Sequence, residues 1–133
     1  GVATLLILDY YDKLARLPAV TAHREVNDWA EIYRVYGALA PDVEKLNTPD
    51  TITDAIDPRA IEAHWGEIVQ IVRSVPTAAA CRAAMQKAGC KLTPDEIGKS
   101  PAFIAESFRY HPYMRRRLSL KRVSHMLYLP VNF

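Results

Sequence analysis

Apolar side chains fall on almost every side of the first helical stretch, Val2 to Leu17. Leu5, Leu8, Tyr11 and Leu14 form one stripe. Leu6, Ile7, Tyr10 and Leu17 fill most of the remaining circumference. A helix that is apolar nearly all round belongs inside a larger body. Left bare it would expose a patch that isolated domains avoid, so it calls for cover by a further domain or by another subunit. Its start is also unmarked. Gly1 is a weak cap, and Thr4 caps only by cutting off the residues before it. The chain begins with Gly rather than Met, so the expectation is a sequence that opens partway through a helix. Pro18 ends that helix, because the residue before a proline disfavours the α region.

The remaining segments also read as helices. Val26, Trp29, Ile32, Tyr33, Tyr36 and Leu39 recur at helical spacing over Thr21 to Ala40, and Pro41 follows as a terminator. Residues 42–57 show the least periodicity and carry turn formers, which predicts a loop with at most short helical turns. Asp57-Pro58 is a cap followed by proline at the first helical position. Ile61, Trp65, Ile68, Val69 and Val72 give the next helix its buried stripe. Ser74 to Gly89 is alanine-rich, with Cys81 and Met85 on one face and Gly89 placed as a C′ glycine. Thr93-Pro94-Asp95-Glu96 is a capping box that Gly98 closes. Ser100-Pro101 repeats the start signal ahead of Phe103, Ile104 and Phe108. His111-Pro112 interrupts, and Ser119 caps a last helix carrying Leu120, Val123, Met126 and Leu127. The tail Tyr128 to Phe133 reads as extended. Nowhere is there a convincing strand alternation. The prediction is an all-α single domain over residues 1–133, an irregular bundle of six or seven helices.

The 133 residues suit one domain, and half of them are hydrophobic, which excludes a disordered chain. The longest uncharged apolar run, Gly1 to Leu8, is far short of the roughly 20 residues of a membrane span. Five scattered glycines exclude a G-x-G-x-x-G or phosphate loop. Cys81 and Cys90 are too few for a disulfide scaffold and wrongly spaced for C-x-x-C chemistry. They read as buried thiols in a reducing cytoplasm. Among His23, His64, His111 and His125, only His64 and Glu67 share helical ligand spacing, and a surface pair explains them. Trp29, Trp65, Tyr33 and Tyr36 read as core or interface anchors rather than as a ligand cage. Charge divides unevenly. Residues 1–108 hold 11 basic and 15 acidic side chains, whereas Arg109, Arg115, Arg116, Arg117, Lys121 and Arg122 stand in a C-terminal quarter without an acid. That end suits phosphates or an acidic partner; the simpler reading is a solvated basic face, with nucleic acid an improbable partner.

Three stretches carry a family resemblance. Gly1-Val2-Ala3-Thr4-Leu5-Leu6, running on to Tyr11, resembles the helix after the second metal-binding histidine of the sn-glycerol-1-phosphate dehydrogenases, in the dehydroquinate synthase-like and iron-alcohol dehydrogenase-like superfamily. Ala88-Gly89-Cys90 through Thr93-Pro94-Asp95-Glu96-Ile97-Gly98 resembles that family's A-G-x-x-x-T-P-E-E-I-G. Tyr110 to Ser119 resembles its R-Y-x-x-x-R-x-R-x-[ST] segment. Residues 18 to 57 match poorly. The resemblance implies a two-domain parent that interconverts dihydroxyacetone phosphate and sn-glycerol 1-phosphate. An N-terminal domain would bind NAD or NADP. A divalent metal, usually zinc, would be held by an aspartate and two histidines, one of them in H-G-x-x-V directly before Gly1. None of the three is in this sequence. The implied chain is therefore an inactive C-terminal helical part, without catalytic, cofactor or metal residues of its own, and a homo-oligomer in its parent form. Thr4 and Leu8 would face the former cleft, and Arg115, Arg116 and Arg117 are the candidates for substrate phosphate. The alternatives are a stand-alone all-α interaction or oligomerisation module and, more weakly, a nucleic-acid-binding domain using residues 109–122.

Overall fold

The computed structural model describes residues 1–130 and 133; of the tail predicted as extended, residues 131 and 132 lie outside the described residues. The fold is all-α. Eight α-helices follow one another among the described residues: α1 (Val2–Leu14), α2 (Trp29–Tyr36), α3 (Ala40–Asn47), α4 (Pro58–Ala63), α5 (Trp65–Arg73), α6 (Ala78–Lys87), α7 (Pro101–Tyr110) and α8 (Leu120–Val123). Six of them have eight residues or more. Short 3-10 turns at Gly37–Leu39, Asp95–Ile97, His111–Met114 and Ser124–Met126 join or extend them.

The start signals act as the sequence implies. Asp57 accepts from Arg59 N at 2.9 Å, Ser100 from Phe103 N at 3.2 Å and Ser119 from Arg122 N at 3.2 Å. Glu96 Oε2 accepts from Thr93 N at 2.8 Å while Thr93 Oγ1 accepts from Glu96 N at 3.4 Å, which is the reciprocal capping box. Gly89 and Gly98 take positive φ of 70° and 64°, where a side chain would be strained.

Four expectations are corrected. The second helix begins at Trp29, not Thr21. Residues 21–28 run extended because they pair with the C-terminal end: Ala22 bridges Leu127, His23 N donates to Met126 O at 2.7 Å and Tyr128 N to Thr21 O at 3.0 Å. Asp28 then caps α2 by accepting from Glu31 N at 3.0 Å. The loop expected over 42–57 contains α3. Pro41 starts that helix instead of ending the previous one, since proline in a first turn loses no hydrogen bond. The helix expected from Ser74 begins at Thr77, which caps it through Ala80 N at 3.2 Å; Ser74 closes α5 instead. Further, Cys90 is exposed rather than buried, because it follows the C′ turn at Gly89, and both thiols are free.

Two cores hold the molecule. In the larger, Leu14 of α1 meets Ile61, Trp65 and Val69 of α4 and α5, with Val123, Met126 and Leu127 closing from the C-terminal end. Trp65 completes its burial by donating Nε1 to Leu17 O at 2.9 Å. Each such side chain contributes about 1.5–3 kcal/mol. The smaller core is Ile32, Val43 and Tyr113, with Trp29, Tyr36 and Tyr110 packed against it. As its all-round apolarity demands, α1 packs against α5, α6 and α8. Only part of its circumference is left open, and that part borders the site described next.

Candidate functional site

Along the first half of α1, the side chains of Val2, Ala3, Leu6 and Ile7 form one wall of a groove of about 360 Å³. Phe103, Ile104 and Phe108 of α7 form the opposite wall. Ile97, at the end of the capping-box turn, and His111 close its ends. The lining is nearly all apolar. α7 itself buries no residue fully, because its apolar side looks onto this groove rather than into a filled core. Phe103 remains 49% exposed. Lys99 spreads over the Phe103 ring at 4.9 Å, which is a rim contact. Thr4 is exposed and Leu8 half-buried, and neither lines the groove.

The basic C-terminal segment is divided by the fold. Arg115, Arg116 and Arg117 are exposed, as a solvated face requires. Arg116 is nonetheless committed: it donates to Asp50 O at 2.6 Å and Leu46 O at 3.2 Å and pairs with Asp50 Oδ2 at 3.0 Å. Lys121 and Arg122 depart from the expected solvated face and are buried. The Lys121 ammonium lies 4.7 Å from the ring centres of both Tyr10 and Phe108. Burial, then the neighbouring Arg109 charge, push its pKa down to about 8.

Arg122 is 0% exposed and its partner Glu25 is 2% exposed. Arg122 Nε stands 2.6 Å from Glu25 Oε1, and Nη2 donates to Oε2 at 2.8 Å. The first of these is an ion contact without an aligned hydrogen bond. Thr53 Oγ1 and Asn27 Nδ2 also donate to Glu25 Oε2, at 2.6 and 3.1 Å, and His125 Nδ1 lies 3.7 Å from Oε1. Burial alone would raise the Glu25 pKa. His125, Arg122 and Thr53 outweigh it and hold the carboxyl down to about 2. The Arg122 guanidinium also stacks 3.9 Å from the Tyr113 ring centre. Burial pushes the Tyr113 phenol upward, and its hydroxyl donates to Asn27 Oδ1 at 2.6 Å. This cluster ties residues 25–27 and 51–53 to α8. In the sequence Glu25, Lys121 and Arg122 stand only as charges, because the burial of a charge pair separated by 97 positions leaves no local signal.

The other histidines behave as ordinary polar groups. His64 Nδ1 contacts Glu67 Oε1 at 2.7 Å on the surface, and His23 lies 4.5 Å from the Tyr128 ring. Among the described residues, no three His, Cys, Asp or Glu side chains converge as a metal-ion ligand set. No described helix is long and apolar enough to cross a membrane.

Comparison with protein-family models, with curated proteins and with solved structures found no match.

Proposed function

We propose that this chain is the helical part of a metal-dependent NAD(P) oxidoreductase interconverting dihydroxyacetone phosphate and sn-glycerol 1-phosphate, and that these 133 residues alone turn over no substrate. The observation that carries this reading is spatial. The three stretches that resemble sn-glycerol-1-phosphate dehydrogenases are far apart in sequence, yet they border one groove: α1 through Val2 and Leu6, the capping-box turn through Ile97, and the last stretch through His111. The groove is the seat of the remainder of the parent enzyme, where the nicotinamide and metal sites belong. Those groups supply hydride and Lewis-acid chemistry; this chain supplies a packing face. Of the candidate phosphate ligands, Arg115 and Arg117 have no ion pair among the described residues, while Arg116 is held by Asp50.

The second reading is an all-α oligomerisation module that closes the groove against another copy. The exposure of Phe103 favours it. One experiment separates the two. The reading frame upstream of Gly1 is sequenced, the whole frame is expressed, and NADH and NADPH oxidation by dihydroxyacetone phosphate is followed with zinc present. The dehydrogenase reading expects His-Gly-x-x-Val directly before Gly1 and turnover by the whole protein only. A frame without that histidine, or a metal-loaded whole protein that oxidises neither cofactor, overturns it. A discrete oligomer of the 133-residue chain would then establish the module.

A further inference from the structure

A second cavity, of about 430 Å³, lies between the start of α2 and the 48–54 loop, within residues that the dehydrogenase resemblance does not cover. Its volume suits a small ligand. Trp29 and Tyr33 form one wall, their rings stacked 5.8 Å apart at 28°. Glu25 lies at the floor and Asp54 at the rim, and no Lys, Arg or His lines the cavity.

The polar groups facing that space are mostly acceptors. Asn47 is 5% exposed. Its Nδ2 donates to Val43 O at 2.8 Å and Tyr113 O at 3.1 Å, so both amide protons are committed and the orientation of the amide is fixed. Its Oδ1 is the group left over, and it receives no donor among the described residues. The threonine hydroxyls are committed too. Thr48 donates to Glu44 O at 2.8 Å. Thr53 donates its single proton to Glu25, so in the 2.9 Å Thr51–Thr53 contact Thr51 must be the donor. Thr48 and Thr51 therefore retain only lone pairs. Asp54 accepts Thr51 N at 2.7 Å through one oxygen and keeps the other free. The lining is thus rich in acceptors and walled by two aromatic rings, and the Asp54 carboxylate at its mouth makes no ion pair among the described residues, although Arg24 Nη1 donates to the Asp54 backbone O at 3.2 Å.

We propose that this cavity binds a small organic cation bearing N–H groups, a primary ammonium or a guanidinium. Such a group supplies the donors that Asn47 Oδ1, Thr48, Thr51 and Asp54 lack, and its charge is attracted to both the carboxylate and the ring faces. A phosphate or carboxylate ligand meets the second Asn27 amide proton and the Tyr33 hydroxyl as donors, but otherwise acceptors, and is repelled by the Asp54 carboxylate. The Glu25–Arg122 pair beneath is internally neutral, so the cation's charge answers to Asp54. This inference stands apart from the dehydrogenase reading and survives its failure.

The test is titration of the 133-residue chain with n-butylammonium and n-butylguanidinium chloride, against 1-pentanol as the neutral control, at constant ionic strength. The readout is the indole N–H resonance of Trp29, assigned by Trp29→Phe. The expected result is saturable shifts for the cations, with 1-pentanol at least about tenfold weaker. Asp54→Asn, which retains an acceptor for Thr51 N, should weaken cation binding about tenfold. Tyr33→Leu should weaken it about two- to fivefold. Both variants are checked for native circular dichroism, and if either fails to fold the other decides. Binding of 1-pentanol as tight as that of the cations, no saturable shift for either cation, or unchanged affinity in the folded variants overturns the proposal.

Discussion

Replacing Glu25 by Gln should cost this fold a large part of its stability. The change keeps the shape of the side chain and two polar atoms, but it leaves the Arg122 guanidinium charged and 0% exposed with no counter-charge. Breaking a buried pair from one side costs about 3–5 kcal/mol. Linkage gives a consistent figure. Glu25 titrates near 2 in the folded state against 4.5 as its ordinary value. That difference amounts to about 3 kcal/mol as an upper bound. A chain of this length is stable by about 7–20 kcal/mol. The substitution should therefore lower Tm by about 10–18 °C. The sign with pH follows. A depressed carboxyl pKa stabilises above the unfolded value and loses its effect as pH falls, so wild-type stability should drop between pH 4.5 and about 2, and Glu25→Gln should flatten that slope. Urea unfolding followed by circular dichroism, at neutral pH and along the acid limb, measures both. Adding Arg122→Met should recover most of the loss, because it removes the orphaned charge. A cost below about 1 kcal/mol for Glu25→Gln alone, or an acid limb as steep as that of the wild type, would refute the claim that the pair is buried and coupled.

Other consequences can be measured independently. Lys121, held down to about 8 against 10.5, should make stability rise as pH climbs from 8 towards 10.5, since the unfolded chain then binds the extra proton; a flat urea midpoint over that window contradicts it. Gly89→Ala places a Cβ at φ 70° and should cost about 1–2 kcal/mol, while Gly66→Ala, within α5, should be neutral or slightly stabilising; equal effects on the urea midpoint would remove the left-handed argument. Phe103→Ser should change stability by less than about 0.5 kcal/mol while reducing binding of an apolar dye; unchanged dye fluorescence would show that the groove is not the accessible apolar surface.

What the sequence disclosed was local, and what it withheld was not. The caps at Asp57, Thr93, Ser100 and Ser119 are legible because a cap is an exchange between residues two to four apart. The apolar stripe of α4 and α5 is legible for the same reason, although His64 breaks it into two helices. Pro41 misleads because proline both ends one helix and starts the next, and only the cap geometry distinguishes the two. Residues 21–28 mislead more deeply. Val26 lies at helical spacing from Trp29, yet it is 84% exposed, because Ala22 and His23 are drawn into backbone pairing with Leu127 and Met126 at the other end of the chain. At helical spacing, Trp29 and Tyr33 read as core or interface anchors. They do pack against the smaller core, but each also turns part of its surface to a cavity whose far wall comes from the 48–54 loop, which no periodicity describes. The groove between α1 and α7 was legible only in part. An over-apolar α1 announces a covered face, but not that α7 leaves that cover incomplete.

The burial of two cations also bears on the basic segment as a polyanion site. Six positive side chains between Arg109 and Arg122 without an intervening acid suggest a strong electrostatic footprint. The fold withdraws three of them: Arg122 to Glu25, Lys121 to its two aromatic rings, and Arg116 to Asp50. Arg109, Arg115 and Arg117 remain exposed, and Arg109 lies 5.4 Å from the Tyr110 ring centre. Each phosphate neutralised on duplex DNA contributes about −0.9 to the slope of log K against log salt. Any binding of duplex DNA through this segment should therefore show a slope no steeper than about −2.7, whereas six engaged cations would give about −5.4. The measurement is fluorescence anisotropy of a labelled duplex across a salt series. A slope near the larger value would mean that α8 opens to release Lys121 and Arg122. A slope at or below the smaller value leaves the segment as what its contacts make it, a structural clamp with three arginines on its outer side.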